Sequence, residues 1–375
     1  MPVNGSDSIE SKLQQPSSDE TYASLDALFR KYQGSSHLIL LQGTPDPDAI
    51  SSALALDYLG SQYGIDSAIV CFSSVSHHEN RALVKKLGIK LNLFDSAFKV
   101  GAYKLYSIVD SQKWQTPIDR QLKENGLKFL AFIDHHRSDG SASCQAEFVD
   151  IREQVGSTAA ILCEYLKAAF PKGLEPSDSY HVRLTTALMH GIRSDTSHFL
   201  LATPTDYAAA AFISPCVDHH IIEIIERTTL TSSMLGLLEN ALVHRRVIDN
   251  FIFSDVGFVR SIDRDGIPQA AELLLAREGT DTVLVFGIVD EKVIDGSFRT
   301  RSETITPDEF LKGFLGVSPE SGQYYGGGNV RDKGGFQIPL GFLSLYEDKN
   351  QVYAMARELI ERSFLDYIGK AGAKS

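Results

Sequence analysis

The chain has 375 residues, 43% of them hydrophobic and 22% charged, and a formal charge of −12. That length exceeds one ordinary compact core and predicts two or three domains; the acidic balance excludes a broad basic surface for long duplex nucleic acid. No apolar run reaches the roughly 18–20 residues of a membrane-spanning helix. The four cysteines, Cys71, Cys144, Cys163 and Cys216, form no CxxC pair. That excludes a zinc ribbon and reads as reduced thiols in a cytoplasmic protein that meets no membrane.

In chain order, residues 1–21 are polar, lack the pattern of a secretory signal, and read as a flexible tail. A domain over 22–215 follows. Its strand-like runs are "LILLQ" (38–42), "SAIVCF" (67–72), "KLYSIVD" (104–110) and "LKFLAFID" (127–134). Helical patterns lie between them, at about 79–88 and 114–124 among others. Such alternation predicts an α/β fold with a mainly parallel sheet between layers of helices. Ligands of these sheets bind at the carboxyl ends of the strands, where Asp46, Asp48, Asp110 and Asp134 fall. Residues 156–235 are mostly helical in pattern, and 216–250 reads as a helical connection. A smaller α/β domain occupies 251–375, with strand-like patterns returning around 247–300 in "NFIFSDVGFVRS", "DTVLVFGIVD" and "KVIDGSFRTR" and a helix near 268–278.

Several short motifs carry chemistry. In "TPDPDAISS", Pro47 keeps Asp46 out of the helical region, so Asp46 and Asp48 can aim two carboxylates at adjacent points. The plainer alternative is that Asp48 caps the following helix. Asp110 ends a strand, where an aspartate also serves as an ordinary turn residue. "AFIDHHRSDG" sets His135 and His136 between an apolar strand and a Ser-Asp-Gly turn. Neighbouring side chains diverge at a strand end, so one imidazole can bind a metal while the other faces substrate. A second "DHH" at 218–220 lies between helical segments and reads as structural. Asp195 closes a helix, where the macrodipole disfavours a carboxylate and a local cation would account for it. "VGSTAAIL" (155–162) reads as a helix cap. Late in the chain, "SGQYYGGGNVRDKGGF" joins Gly326, Gly327, Gly328 and Asn329 to Arg331 and Lys333, a loop suited to an anion; "GSFRTR" adds Arg299 and Arg301.

The order Asp-x-Asp, Asp, Asp-His-His, helical Asp, then GGG resembles the DHH phosphoesterase superfamily from about residue 37 to 345. The resemblance implies a metal-binding DHH domain followed by a DHHA1-like substrate-binding domain. It implies two divalent cations, Mn²⁺ or Mg²⁺. One would be held by Asp46 and Asp110, the other by Asp48, Asp110, His135 and Asp195. His136 and Asp134 would be catalytic, and Arg299, Gly326, Gly327, Gly328 and Asn329 would bind substrate. Two positions depart from the pattern. Gln42 stands where the first motif carries a histidine, and Asn329 follows the glycines where the family has another.

The expected activity is hydrolysis of small nucleotide phosphoesters by a metal-activated water. Short oligoribonucleotides, dinucleotides and 3′-phosphoadenosine 5′-phosphate (pAp) are the candidates. Tyr324, Tyr325 and Phe336 either stack a base or pack the second domain. A pyrophosphatase-like or polyphosphatase-like hydrolase is the alternative, less favoured because no Arg-Lys-Lys run occurs late in the chain. A nucleotide-binding sensor of weak catalytic power is the third reading. The sequence is compatible with a monomer or a homodimer.

Overall fold

A strand that is apolar at every position must be covered on both faces. Leu38, Ile39, Leu40 and Leu41 make such a run in β1 (Ser36–Leu41), and all four are fully buried. The structure is a computed structural model that describes residues 18–136, 144–227, 229–329 and 331–372. Residues 1–17 of the expected tail, and the Ser-Asp-Gly turn after His136, lie outside the described residues.

The chain divides into two units after Arg227, the second also taking in the short segment Ser76–His78. The first opens with α1 (Ser18–Lys31), β1, α2 (Pro47–Ser61), β2 (Asp66–Cys71) and α3 (His78–Leu87). It continues through β3 (Asn92–Leu93), β4 (Leu105–Val109), α4 (Asp119–Glu124), β5 (Lys128–Asp134) and β6 (Phe148–Ile151). Four helices complete it: α5 (Thr158–Ala169), α6 (Ser179–Asp195), α7 (Pro204–Ile213) and α8 (His219–Glu226). The six strands pair in parallel in the order β3-β2-β1-β4-β5-β6. Ile39 and Leu41 share one core with Leu54, Ile161 and Leu188, while Leu38 and Leu40 share another with Ile118 and Leu122. This is the expected parallel sheet covered on both faces. The strand order reverses between β1 and β4, which opens a crevice outside their carboxyl ends.

Two local differences from the sequence reading have simple causes. The helix expected over 114–124 forms only at Asp119–Glu124. Pro117 disfavours helical backbone at Thr116, and the Thr116 N–H and hydroxyl both donate to Asp119 Oδ1, at 2.9 and 2.8 Å. The short edge strand β6, four residues long, has too little pattern to be seen without its partner β5.

His37 lies buried within β1, its two ring nitrogens against Ser67 Oγ (3.1 Å) and Ser107 Oγ (2.8 Å). Burial pulls its pKa down from 6.5 to about 3. The unfolded chain therefore binds this proton first, so the stability the neutral ring allows is complete above pH 6.5 and is lost as pH falls toward 3. Relative to His37→Gln, the wild type should lose an extra ~2 kcal/mol between pH 7 and 5, at about 1.4 kcal/mol per unit. Denaturant titrations at the two pH values check this; parallel losses would contradict it.

The second unit contains α9 (Ser232–His244), β7 (Arg246–Ile248), β8 (Phe251–Val259), α10 (Gly266–Leu275) and β9 (Thr282–Val289). It ends with β10 (Val293–Thr300), α11 (Pro307–Leu315), β11 (Gly326–Gly328), β12 (Lys333–Pro339) and α12 (Lys349–Gly372). Its mixed sheet runs β11-β12-β10-β9-β8-β7, with only β8 and β9 parallel. Alternation along β9 serves two cores. Leu284 and Phe286 pack with Leu311 and Phe364, and Val283 and Val285 pack with Leu237 and Ala270. The helical connection expected at 216–250 is divided between the units. Ile222 and Ile225 of α8 enter the core of the first, Leu237 and Ala241 of α9 that of the second, and β7 already pairs with β8.

Candidate metal centre

The loop after β1 delivers two aspartates into different roles. Asp46 is extended (φ −103°, ψ 177°), Pro47 takes the first helical position, and Asp46 Oδ1 accepts the Ala49 N–H at 2.9 Å. Asp46, not Asp48, is therefore the cap of α2. Asp48 is fully buried, and its two oxygens accept the N–H groups of Thr158 and Ala159, both at 2.7 Å. Those are unpaired donors at the positive end of α5, whose own cap is Ser157.

Asp110 follows β4 in a left-handed conformation (φ 53°), held by its N–H donating to Ile133 O at 2.9 Å. Its Oδ1 accepts the Thr158 hydroxyl at 3.0 Å. Few non-glycine residues adopt this backbone, and strain of that kind gathers at functional sites.

Beyond β5, His135 Nδ1 lies 3.2 Å from Val155 O. A carbonyl only accepts, so Nδ1 carries a hydrogen and Nε2 is turned the other way. Nε2 sits 3.0 Å from Asp195 Oδ2, 3.6 Å from Asp110 Oδ1 and 3.9 Å from Asp48 Oδ2, yet makes no directed hydrogen bond with any of them. A buried nitrogen crowded by three carboxylates off its own axis is a place for a cation. Burial pulls this imidazole down, but Asp195, Asp48 and Asp110 outweigh it and push its pKa to about 10, so a proton stands in for that cation. Burial and the Asp195 charge push Asp110 up to about 6. Asp46 rises through burial and the same two neighbours, Asp110 and Asp195.

Ligand atoms of Asp48, Asp110, His135 and Asp195 all lie within 4.8 Å of one another, and a second set joins Asp110 and His135 to His136. Three carboxylates with one imidazole suit a divalent cation of the Mg²⁺ or Mn²⁺ kind. Asp46 lies outside both sets; it lines an adjoining cleft of about 370 Å³ with Gln42, Asp110, Lys113 and His136. Asp134 also lies outside the ligand sets. It accepts from His136 Nδ1 at 2.8 Å, orienting that ring and leaving its Nε2 for other partners.

Thr158 and Asp206 have parts in this site that the sequence reading missed. The fully buried Asp206 accepts from Gly156 N (3.0 Å), Ser157 Oγ (2.9 Å), Thr203 N (2.8 Å) and Thr203 Oγ1 (2.7 Å). Thr203, Pro204 and Asp206 spell a capping box, which is a local signal. Its reach to the start of α5 is not. The second DHH sequence is structural as read: Asp218 caps α8 by accepting the Ile221 N–H at 3.0 Å.

In the second unit, the expected glycine loop is the edge strand β11, paired to β12. A methyl on Gly328 would meet Lys333 O at 2.5 Å, Gly334 Cα at 2.8 Å and Pro307 Cβ at 2.9 Å. The glycines thus permit close backbone approach rather than a loose loop. Gly328→Ala should cost about 1–3 kcal/mol of stability by overpacking, read by chemical denaturation; a neutral change would favour a loop. Asn329 is consumed by the following turn. Its Oδ1 accepts the N–H groups of Arg331, Asp332 and Lys333, at 3.0, 2.8 and 3.0 Å, and its amide donates to Asp332. Arg299 donates to Ser297 Oγ at 2.8 Å and lines a cleft of about 740 Å³ with Arg301, Arg331 and Lys333. Phe336 is core, packed over Gly296, whereas Tyr324 is exposed.

No family model matches the sequence. The fold is that of an exopolyphosphatase-related protein from Bacteroides fragilis: TM-score 0.64 at 14% identity, over 90% of this chain and 98% of that one. In sequence, an uncharacterized protein of Methanocaldococcus jannaschii is 34% identical over 335 residues, 88% of this chain and 64% of that protein. A "probable manganese-dependent inorganic pyrophosphatase" of Streptococcus mutans is 25% identical over 175 residues, 46% of this chain and 51% of that one. The aspartate and histidine motifs of the first unit close on one acidic cluster at the end of its parallel sheet. The shared fold and the DHH-like motifs thus agree along most of the chain. The chain spans under two thirds of the length of these two sequence relatives. Among the motifs that carry the resemblance the first stands apart: Gln42 directs its amide to a backbone carbonyl, that of Lys113, at 2.6 Å.

Proposed function

We propose that the protein is a divalent-metal-dependent phosphoesterase that hydrolyses small nucleotide phosphoesters, namely short oligoribonucleotides, dinucleotides or pAp. The observation that carries this reading is the Asp48–Asp110–His135–Asp195 cluster, buried at Asp48 and Asp110 and half-buried at His135 and Asp195. Divalent cations bound there, Mn²⁺ in preference, would supply Lewis acidity and a nucleophilic water at neutral pH. The chain itself contributes the ligands, a second imidazole on His136 held by Asp134, and no nucleophilic side chain. In the second unit, a cleft lined by Arg299, Arg301, Arg331 and Lys333, alongside Glu272, Glu303 and Asp332, offers guanidinium and ammonium donors for a nucleotide phosphate.

A second reading is favoured by the names of the relatives, which act on or are related to enzymes of phosphoanhydrides: an inorganic pyrophosphatase or polyphosphatase. Turnover in Mn²⁺ of pAp, diribonucleotides, cyclic dinucleotides, pyrophosphate and polyphosphate separates the two. Hydrolysis confined to the anhydrides would replace the first reading by the second. Nucleotide binding without turnover of any substrate would leave a sensor.

A further inference from the structure

Gln42 stands where the superfamily resemblance places a histidine, and its side chain is already committed. Nε2 donates to the Lys113 carbonyl at 2.6 Å, and because a carbonyl only accepts, the amide can be oriented in one way alone. The same carbonyl accepts the Ser111 hydroxyl at 2.8 Å, while Ser111 Oγ also receives the Lys113 N–H at 3.3 Å. Asp110 enters this turn with its left-handed backbone. Three restraints thus fix the path of the chain from Asp110 to Lys113.

That turn forms one wall of the 370 Å³ cleft. Among the described residues, the charged groups lining the cleft are Asp46, Asp110, His136 and Lys113, so Lys113 is its one described lysine or arginine. Lys113 is exposed and makes no ion pair among the described residues. An exposed lysine whose backbone is pinned beside an acidic cleft can meet an incoming phosphate before the buried carboxylates do.

We propose that Lys113 contacts the phosphate of the substrate and that Gln42 is a positioning residue, pinning the Lys113 backbone so that the ammonium faces the cleft mouth. The proposal rests on the phosphoesterase reading for the identity of the ligand, and it gives Gln42 a role other than metal ligation.

The test is calorimetric titration of inorganic phosphate into the full chain loaded with Mn²⁺. Lys113→Ala should weaken phosphate binding about ten- to hundredfold, the worth of one hydrogen bond between charged groups, and leave Mn²⁺ affinity within about twofold. Lys113→Arg should restore most of the loss. Gln42→Met keeps the side-chain length without the donor; it should weaken phosphate binding about three- to tenfold, and should add nothing in the Lys113→Ala background. A general structural defect would add to the loss instead. The proposal is overturned if the wild type binds no phosphate, if Lys113→Ala binds it as well as the wild type, or if Gln42→Met lowers Mn²⁺ affinity. Phosphate binding that depends on Lys113, in a protein that turns over no phosphoester, would uphold this proposal and remove the phosphoesterase reading.

Discussion

Asp110→Asn is expected to lower Mn²⁺ affinity at least a hundredfold while making the metal-free protein more stable. Asparagine tolerates the left-handed backbone and can keep the Thr158 bond, so the substitution removes little but charge. The charge it removes belongs to both candidate ligand sets. Without a cation, Asp110 is crowded: burial and Asp195 raise its pKa from 3.8 to about 6. A raised carboxyl favours the folded state below pH 4 and costs stability as pH rises through 6, so at pH 7 its neutral replacement should gain about 1–2 kcal/mol. Melting curves with and without Mn²⁺ would show the gain in one condition and a smaller metal-induced shift in the other. Equal Mn²⁺ affinity in the variant would sink the assignment of Asp110 as a shared ligand. Gained stability with lost metal binding is the expected signature of a site that stores like charge for its ligand.

Asp206→Ala should be the most damaging substitution outside the ligand set, costing about 3–5 kcal/mol. It strands two backbone N–H groups and two hydroxyls that one buried carboxylate satisfies. It also removes what holds Gly156 and Ser157, the residues leading into the α5 turn whose N–H groups meet Asp48. Mn²⁺ affinity should therefore fall about tenfold, although Asp206 is no ligand, with a milder loss in Asp206→Asn, which retains one acceptor oxygen. Urea denaturation and Mn²⁺ calorimetry read the two effects. Lost stability with intact Mn²⁺ affinity would mean that the start of α5 is held by Asp48 and Ser157 alone.

Much of the site was legible because its residues sit where the apolar pattern stops. Asp46, Asp110, Asp134, His135 and His136 each follow a buried strand run, and in a parallel sheet those ends share one edge. Asp195 was visible as a carboxylate at the wrong end of a helix. The glycines misled, because GGG reads equally as a loop or as a strand whose neighbours approach too closely for a Cβ, and only the pairing with β12 distinguishes them. The boundary between the units was blurred for a similar reason. α8 and α9 are both amphipathic, and nothing local says whose core each apolar face joins.

By itself, then, the sequence determined the parallel α/β sheet, the motif order and the set of acidic and imidazole groups gathered at one edge, since each of these follows from local periodicity and from where it ends. The tertiary structure decided how those groups divide the work. Asp48 accepts from a helix start 110 residues further on, Asp206 braces that same helix from beyond it, and Gln42 bonds a carbonyl 71 residues away. Partners so distant in the chain meet only because the sheet packs between its helices, and no pattern of a few residues can encode which of them will.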